Sequence, residues 1–285
     1  MNWFGLTLVY VFLMVAASII NKKTLQVGSV DPLIFGAFVQ LTTGLICLGL
    51  ALTEGFQFQF SMESVKLIAI MAITYLVGVS LYFTGLKEID LSQETILSST
   101  GSIWGLLLGA LFLGEVFSGT KIIGVVLIFI ASLVAFWERQ VLHIGKYQKI
   151  ILFSAPFYAL GAMWDKQLNS YGSALSYLAI SFTLVGIAML LFYGKRTVTA
   201  FKESFRLAEF WKGTLVNGVF YALSFWALFT AYQKGGEVSR MFPMTLSTSV
   251  FVPILGILLL KEYNRWSQKV VSVVILTAGL WLVKG

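Results

Sequence analysis

Along its 285 residues the chain alternates long apolar stretches with short polar breaks. Apolar runs of about 20 residues, the length that crosses a bilayer core as a helix, fall at approximately 3–21, 32–53, 64–86, 93–113, 119–137, 149–167, 174–193, 210–232, 239–260 and 266–283. Inside lipid every backbone N–H and C=O must be paired within the spanning structure, so these runs predict helices rather than a barrel. The expected fold is all-α and integral to the membrane, with ten transmembrane helices. The breaks between the fourth and fifth runs and between the ninth and tenth are very short, so each of those pairs is expected to form an antiparallel hairpin. Only the segment 194–209, GKRTVTAFKESFRLAE, is long enough to suggest an amphipathic stretch at the interface. The first run reads as a span rather than a leader: MNWFG carries no basic residue, and the run is too long for a typical signal-peptide core.

The polar breaks repeat. A shift of 147 positions places Leu113 on Leu260, Glu115 on Glu262, Gly109 on Gly256 and Ala131 on Ala278 without a gap. The same shift pairs Lys87 with Lys234, Ser92 with Ser239 and Ser98 with Thr245, while a shift of 144 pairs Ala17 with Gly161, Asn21 with Asp165 and Lys22 with Lys166. Two halves of five spans are the simplest reading, at residues 1–139 and 146–285. Five is odd, so the second half must thread the membrane against the first. Such inverted-topology repeats are a recurring transporter design, with the substrate site near the midplane between the halves.

Composition agrees with the pattern. The chain is 58% hydrophobic and 12% charged with a mean hydropathy of +0.87, where soluble domains run about 45–50% apolar and about 25% charged. The net charge of +7 fits basic loops beside anionic headgroups and needs no nucleic acid. Assigned to alternating sides, the 20 basic residues divide 14 against 6, which by the positive-inside rule places both termini outside. Cys47 is the lone cysteine and His143 the lone histidine. No internal disulfide, histidine metal site, catalytic relay or cofactor is therefore expected.

The stretch LLLGALFLGEVFSGTKIIGVVLIFIASLVAF, and its less strict second copy PILGILLLKEYNRWSQKVVSVVILTAGLWLV with Lys261 where the first has glycine, resembles the EamA domain of the drug/metabolite transporter superfamily. The resemblance covers essentially the whole chain. It implies a multi-pass carrier of small metabolites working by alternating access, with termini in the cytoplasm, opposite to the charge count. The expected location is a bacterial or archaeal inner membrane, with the bilayer and a small-molecule substrate as partners and no oligomer required. Small multidrug relatives carry a central acid in the first span. This first span has none, which disfavours proton-coupled export of lipophilic cations.

Candidate chemistry sits on polar stripes at helical spacing. Tyr10, Met14, Ala17 and Asn21 form one face of the first span, and Ser154, Tyr158, Gly161 and Asp165 the corresponding face of the sixth. Asn217, Tyr221 and Ser224 share a face of the eighth, Thr74 corresponds to Tyr221 in the third, and Ser98 and Thr245 are paired in the fourth and ninth. Two readings stand for these groups: a substrate cavity, or hydrogen bonds that hold helices together at roughly 0.6 kcal/mol each. Glu94 and Asp165 are the acids that would enter the bilayer and are candidates for ion coupling. Against that, Glu94 reads as a first-turn acid behind an N-cap at Ser92, and Asp165 as the partner of Lys166 in an interfacial pair. Glu115 and Glu262 occupy helix starts, a structural position. Gly101, Gly105 and Gly109 at i, i+4, i+8 form a close-packing row. Pro156 and Pro253 are candidate kinks, and Pro243 sits in a first turn. Trp104, Trp164 and Trp226 are expected to face lipid or the belt.

A secondary-active carrier of a small polar metabolite, such as an amino acid or a related compound, is the reading these features favour, with export and import both open as its direction. An organic-cation exporter is the alternative and a facilitative channel the next. A coupling proton or counter-solute would supply the energy, since no ATP-binding loop is present. No enzyme constellation appears at convincing spacing.

Overall fold

The structure, a computed structural model, describes residues 1–114, 118–135, 144–245, 247–248, 250–251 and 266–284. Its helices are α1 (Trp3–Leu25), α2 (Pro32–Glu54), α3 (Met62–Glu88), α4 (Leu91–Ser99), α5 (Gly101–Leu113), α6 (Gly119–Ala135), α7 (Lys146–Leu168), α8 (Ala174–Phe192), α9 (Gly194–Glu203), α10 (Ala208–Gln233), α11 (Val238–Thr245) and α12 (Trp266–Lys284). Among the described residues no named strand occurs; the only bridge joins Phe58 and Gly172 in two loops.

Local chemistry sets the helix ends. Asn2 accepts from the Gly5 N–H to start α1. Asp31 accepts from Leu33 and Ile34 to start α2, with Pro32 in the first turn where its missing N–H costs nothing. Ser61 and Ser64 cap each other reciprocally at α3. α5 stops at Gly114, whose φ of 63° is the left-handed conformation that glycine adopts without a Cβ clash, and whose N–H returns to the Gly109 carbonyl.

Five helices are long and apolar enough to cross a membrane: α1, α2, α3, α8 and α10. Shorter apolar stretches lie at Leu97–Phe112, Gly119–Val134 and Val270–Val283. α7 matches the crossing helices in length at 23 residues but carries Gln148, Lys149, Asp165, Lys166 and Gln167, so its sequence is less apolar. The fourth apolar run is divided at Thr100 between α4 and α5. There the ladder tightens to i→i+3, with Thr100 N–H to Leu97 O at 3.2 Å and Ile103 N–H to Thr100 O at 3.1 Å. The same pair of bonds recurs 147 residues later, at Ser247 to Met244 and Val250 to Ser247, both 3.0 Å.

Tertiary packing follows the same offsets. α1 lies mainly against α10 and α3 against α7, while α2 pairs with α8 and α6 with α12. Lys22 donates to Ile89 O at 2.6 Å and Lys166 to Gly236 O at 2.9 Å, so lysines 144 apart bond carbonyls 147 apart. Residues that alternation puts at one end do meet. Arg196 lies 3.6 Å from Asp31, and Ser204 donates to Ser29 O. At the other end Lys121 bonds Glu237 at 2.8 Å, Lys234 bonds Met1 O, and Ser173 N–H bonds Gln57 O. The 194–209 segment contains α9, Gly194–Glu203, and is held to the α1–α2 connection by those Arg196 and Ser204 contacts.

Gly101, Gly105 and Gly109 are all buried on α5, which packs on α7 and α11. Gly124 and Gly279 permit the α6–α12 approach. A Cβ on Gly124 would lie 2.8 Å from Gly279 O, and one on Gly279 would lie 2.9 Å from Gly124 O. Gly279→Val is expected to lower the thermal unfolding midpoint in detergent by the equivalent of about 1–3 kcal/mol. Gly28→Ala, where nothing lies within 4 Å of a Cβ, should leave it unchanged. Equal midpoints for both would refute this packing.

Candidate functional site

A cavity of about 190 Å³ opens among α1, α2, α3, α4, α7, α8, α10 and α11, taking wall residues from both halves of the chain. It exceeds the ~150 Å³ cavity that holds a benzene in a protein interior. Ten of its lining side chains are aromatic, two are carboxylates, and among the described lining residues none is Lys, Arg or His.

The rings form connected groups. Tyr158 stands edge-on to Tyr75 and Tyr82 at 6.0 and 5.8 Å. Phe225 meets Tyr10 at 5.4 Å, Tyr221 at 5.7 Å and Phe182 at 4.9 Å. Spacings of this size suit the offset and edge-to-face geometry that aromatic quadrupoles prefer.

The carboxylates lie toward opposite ends. Gln148, at the start of α7, bonds Gln93 of α4 at 3.1 Å, which places neighbouring Glu94 near that start. Asp165 lies in the last turn of the same helix, toward its other end. Glu94 is 6% exposed and accepts from Ser98 Oγ at 2.6 Å. Asp165 is 5% exposed and accepts from Tyr75 at 2.5 Å on one oxygen and Tyr177 at 2.6 Å on the other. Two phenols from α3 and α8 thus hold a carboxylate on α7. Asn21, which a shift of 144 pairs with Asp165, makes the related contact on α1, donating to Tyr221 of α10 at 2.8 Å.

Eight of the sequence candidates reach the wall: Tyr10, Glu94, Ser98, Ser154, Tyr158, Asp165, Tyr221 and Thr245. Asn21 stands behind it through Tyr221. Thr74 does not line it and donates to Ile70 O of its own helix; Ser224 likewise bonds Phe220 O. Asn217 is fully buried away from the cavity, with both side-chain ends unpartnered. The α4 cap is Asp90 rather than Ser92. Asp165 turns to the tyrosines, and the Lys166 ammonium goes to Gly236 O. Trp104 and Trp226 are exposed, whereas Trp164 packs on the core. Glu115, Glu262, Lys261, His143, Pro253 and Gly256 lie outside the described residues. Tyr75, Tyr82, Gln40, Ser181 and Tyr232 also line the cavity and were not singled out from the sequence. Tyr75 and Tyr82, seven residues apart on one face of α3, were the available signal.

The sequence profile of the EamA-like transporter family matches the chain twice, over residues 1–137 and 147–284. The chain belongs to the EamA-like transporter family. It is therefore a multi-pass membrane transporter of the drug/metabolite transporter superfamily. A solved structure described as "Crystal structure of protein" superposes with a TM-score of 0.77 at 12% identity, covering 98% of this chain and 95% of that one. At that identity the likeness concerns the fold. Comparison with curated proteins gave no match.

Proposed function

We propose that this EamA-family protein is a secondary-active, alternating-access carrier of a small polar metabolite, an amino acid or a related compound. Ten crossings in two inverted-topology repeats, 1–139 and 146–285, are the architecture of this reading. The observation that carries it is the cavity walled by both halves, since a site shared between halves can be exposed to either side by rocking one against the other. The paired contacts Lys22–Ile89 and Lys166–Gly236, and the twin ladder breaks at Thr100 and Ser247, support two equivalent halves.

In this reading Tyr10, Ser98, Ser154, Tyr158, Tyr221 and Thr245 contact substrate, with Asn21 positioning Tyr221. Glu94 and Asp165 are the candidates for proton coupling. Asp165 is the stronger, because its counterpart Asn21 cannot titrate and the two ends of the pathway then differ in the one property a proton gradient acts on.

Counterflow in proteoliposomes tests the carrier assignment. Proteoliposomes containing the purified chain and preloaded with unlabelled solute should take up the labelled form transiently above equilibrium. Uptake that only equilibrates indicates a channel and sinks the reading.

A further inference from the structure

We propose that solute passes between the cavity and the α9 end of the bundle along the seam of α1 and α10, and that Asn21, Thr214 and Asn217 line that passage when the seam parts. The inference rests on the carrier reading above and names the route such a carrier uses.

The seam runs from the cavity wall to that end. Tyr221 lines the cavity and accepts from the Asn21 amide at 2.8 Å. Asn217 lies one turn nearer the start of α10, and Thr214 and Gly213 lie a further turn along. The start of α10 follows α9, which the Arg196 and Ser204 contacts hold beside Asp31 and Ser29. Gly213 rests on Thr24 of α1, so close that a Cβ on the glycine would collide with the threonine side chain. Residues four apart share a helix face, so Asn217 is turned to α1 between the Gly213 and Tyr221 contacts.

These side chains are buried and unmet. Asn21 and Asn217 are 0% exposed and Thr214 is 1% exposed. Both ends of the Asn217 amide, Asn21 Oδ1 and Thr214 Oγ1 have no hydrogen-bond partner. Polar groups held this way cost free energy that water or a polar solute would restore. Among the described residues no such orphaned atom lies on α3 or α7, where Tyr75 and Tyr177 meet both oxygens of Asp165. Parting α1 from α10 therefore relieves a penalty, and the open state gains partners that the packed seam lacks. The orphaned set combines the Asn217 amide donor with the oxygens of Asn21, Thr214 and Asn217. An amino acid carries an ammonium donor and a carboxylate acceptor, so a zwitterion leaving the cavity finds neutral partners for both ends.

Thiol chemistry on the purified full-length chain in detergent tests the route. In a Cys47→Ala background, Asn217→Cys and Thr214→Cys should react with a charged methanethiosulfonate roughly tenfold or more faster than Cys47 does in the parent. All three positions are equally buried, so burial alone predicts equal, slow rates. Asn217→Leu keeps the side-chain volume and removes the orphaned amide. It should raise the thermal midpoint and slow counterflow of labelled L-alanine, L-serine or L-phenylalanine, whichever the parent exchanges, by roughly tenfold or more. A gain in stability paired with a loss of transport is not what a merely structural role would give. Thr214→Val carries the same reading if Asn217→Leu does not fold. Rates like that of Cys47 at both new cysteines overturn the inference, and so does parental counterflow in the variant that folds. The carrier reading fails separately: reactive cysteines without counterflow in the parent leave the seam opening and remove the carrier, whereas parental counterflow with inert cysteines keeps the carrier and removes this route.

Discussion

Asp165→Asn should yield a folded protein that no longer accumulates substrate against its gradient when driven by a pH difference. The fold should survive because an amide already occupies the corresponding place: Asn21 donates to Tyr221 at 2.8 Å, and an asparagine at 165 can do the same toward Tyr75 or Tyr177. What disappears is the one carboxylic acid that the Tyr75 and Tyr177 phenols hold. Tyr75 on α3 and Tyr177 on α8 bond it, Tyr10 on α1 and Tyr232 on α10 share its cavity, and Lys166 is turned to Gly236 O. Driven uptake into proteoliposomes at an imposed pH step measures the effect. The expected result is loss of pH-driven accumulation to background, with the thermal midpoint within a few degrees of the parent. If the variant accumulates substrate like the parent, Asp165 is not the coupling group; Glu94→Gln in the same assay would then locate it.

Tyr158→Leu and Tyr221→Leu should each weaken ligand binding roughly five- to thirtyfold, the effect of losing about 1–2 kcal/mol of buried ring contact with the substrate. Thr74→Val and Ser224→Ala remove hydroxyls that bond their own helices outside the cavity, and binding should stay within twofold. Tyr221→Phe separates the ring from the hydroxyl. It keeps the ring wall yet leaves the Asn21 amide without its acceptor, so stability should fall by about 1–3 kcal/mol while affinity changes less than in Tyr221→Leu. Equal affinities across the cavity and control variants would mean that substrate binds elsewhere.

Much of this was visible in the chain as written. The all-helical membrane class follows from run length and composition. The run boundaries are close because caps such as Asp31–Pro32 and Ser61–Ser64 are local chemistry that short-range sequence encodes. Periodicity also brought Tyr10, Ser154, Tyr158, Asp165 and Tyr221 toward one place, since polar residues on an apolar helix are placed away from lipid wherever they can be. The same rule misplaced Thr74 and Ser224. A hydroxyl in a membrane helix can satisfy itself on the carbonyl four residues back, and nothing in the spacing separates that choice from a cavity wall.

Tyr75 and Tyr177 show the other limit. Neither was marked as special, because tyrosine is ordinary in such helices and their partner is Asp165, 90 and 12 residues away in sequence. For Lys166, adjacency suggested an ion pair with Asp165. Consecutive helical residues point about 100° apart, and the two went to different neighbours.

The sequence by itself determined the membrane as solvent, the helical class and the family, because each is written in local composition or in a motif repeated at a fixed offset along the chain. Only the tertiary structure decided which polar groups share a cavity, that two carboxylates stand there without a described basic wall residue, and that Asp165 and Asn21 occupy comparable places with different chemistry. Those facts depend on how α1 meets α10 and α3 meets α7, contacts between residues far apart in the chain. Their geometry is fixed by side-chain packing across helix seams rather than by the order of residues along any one helix.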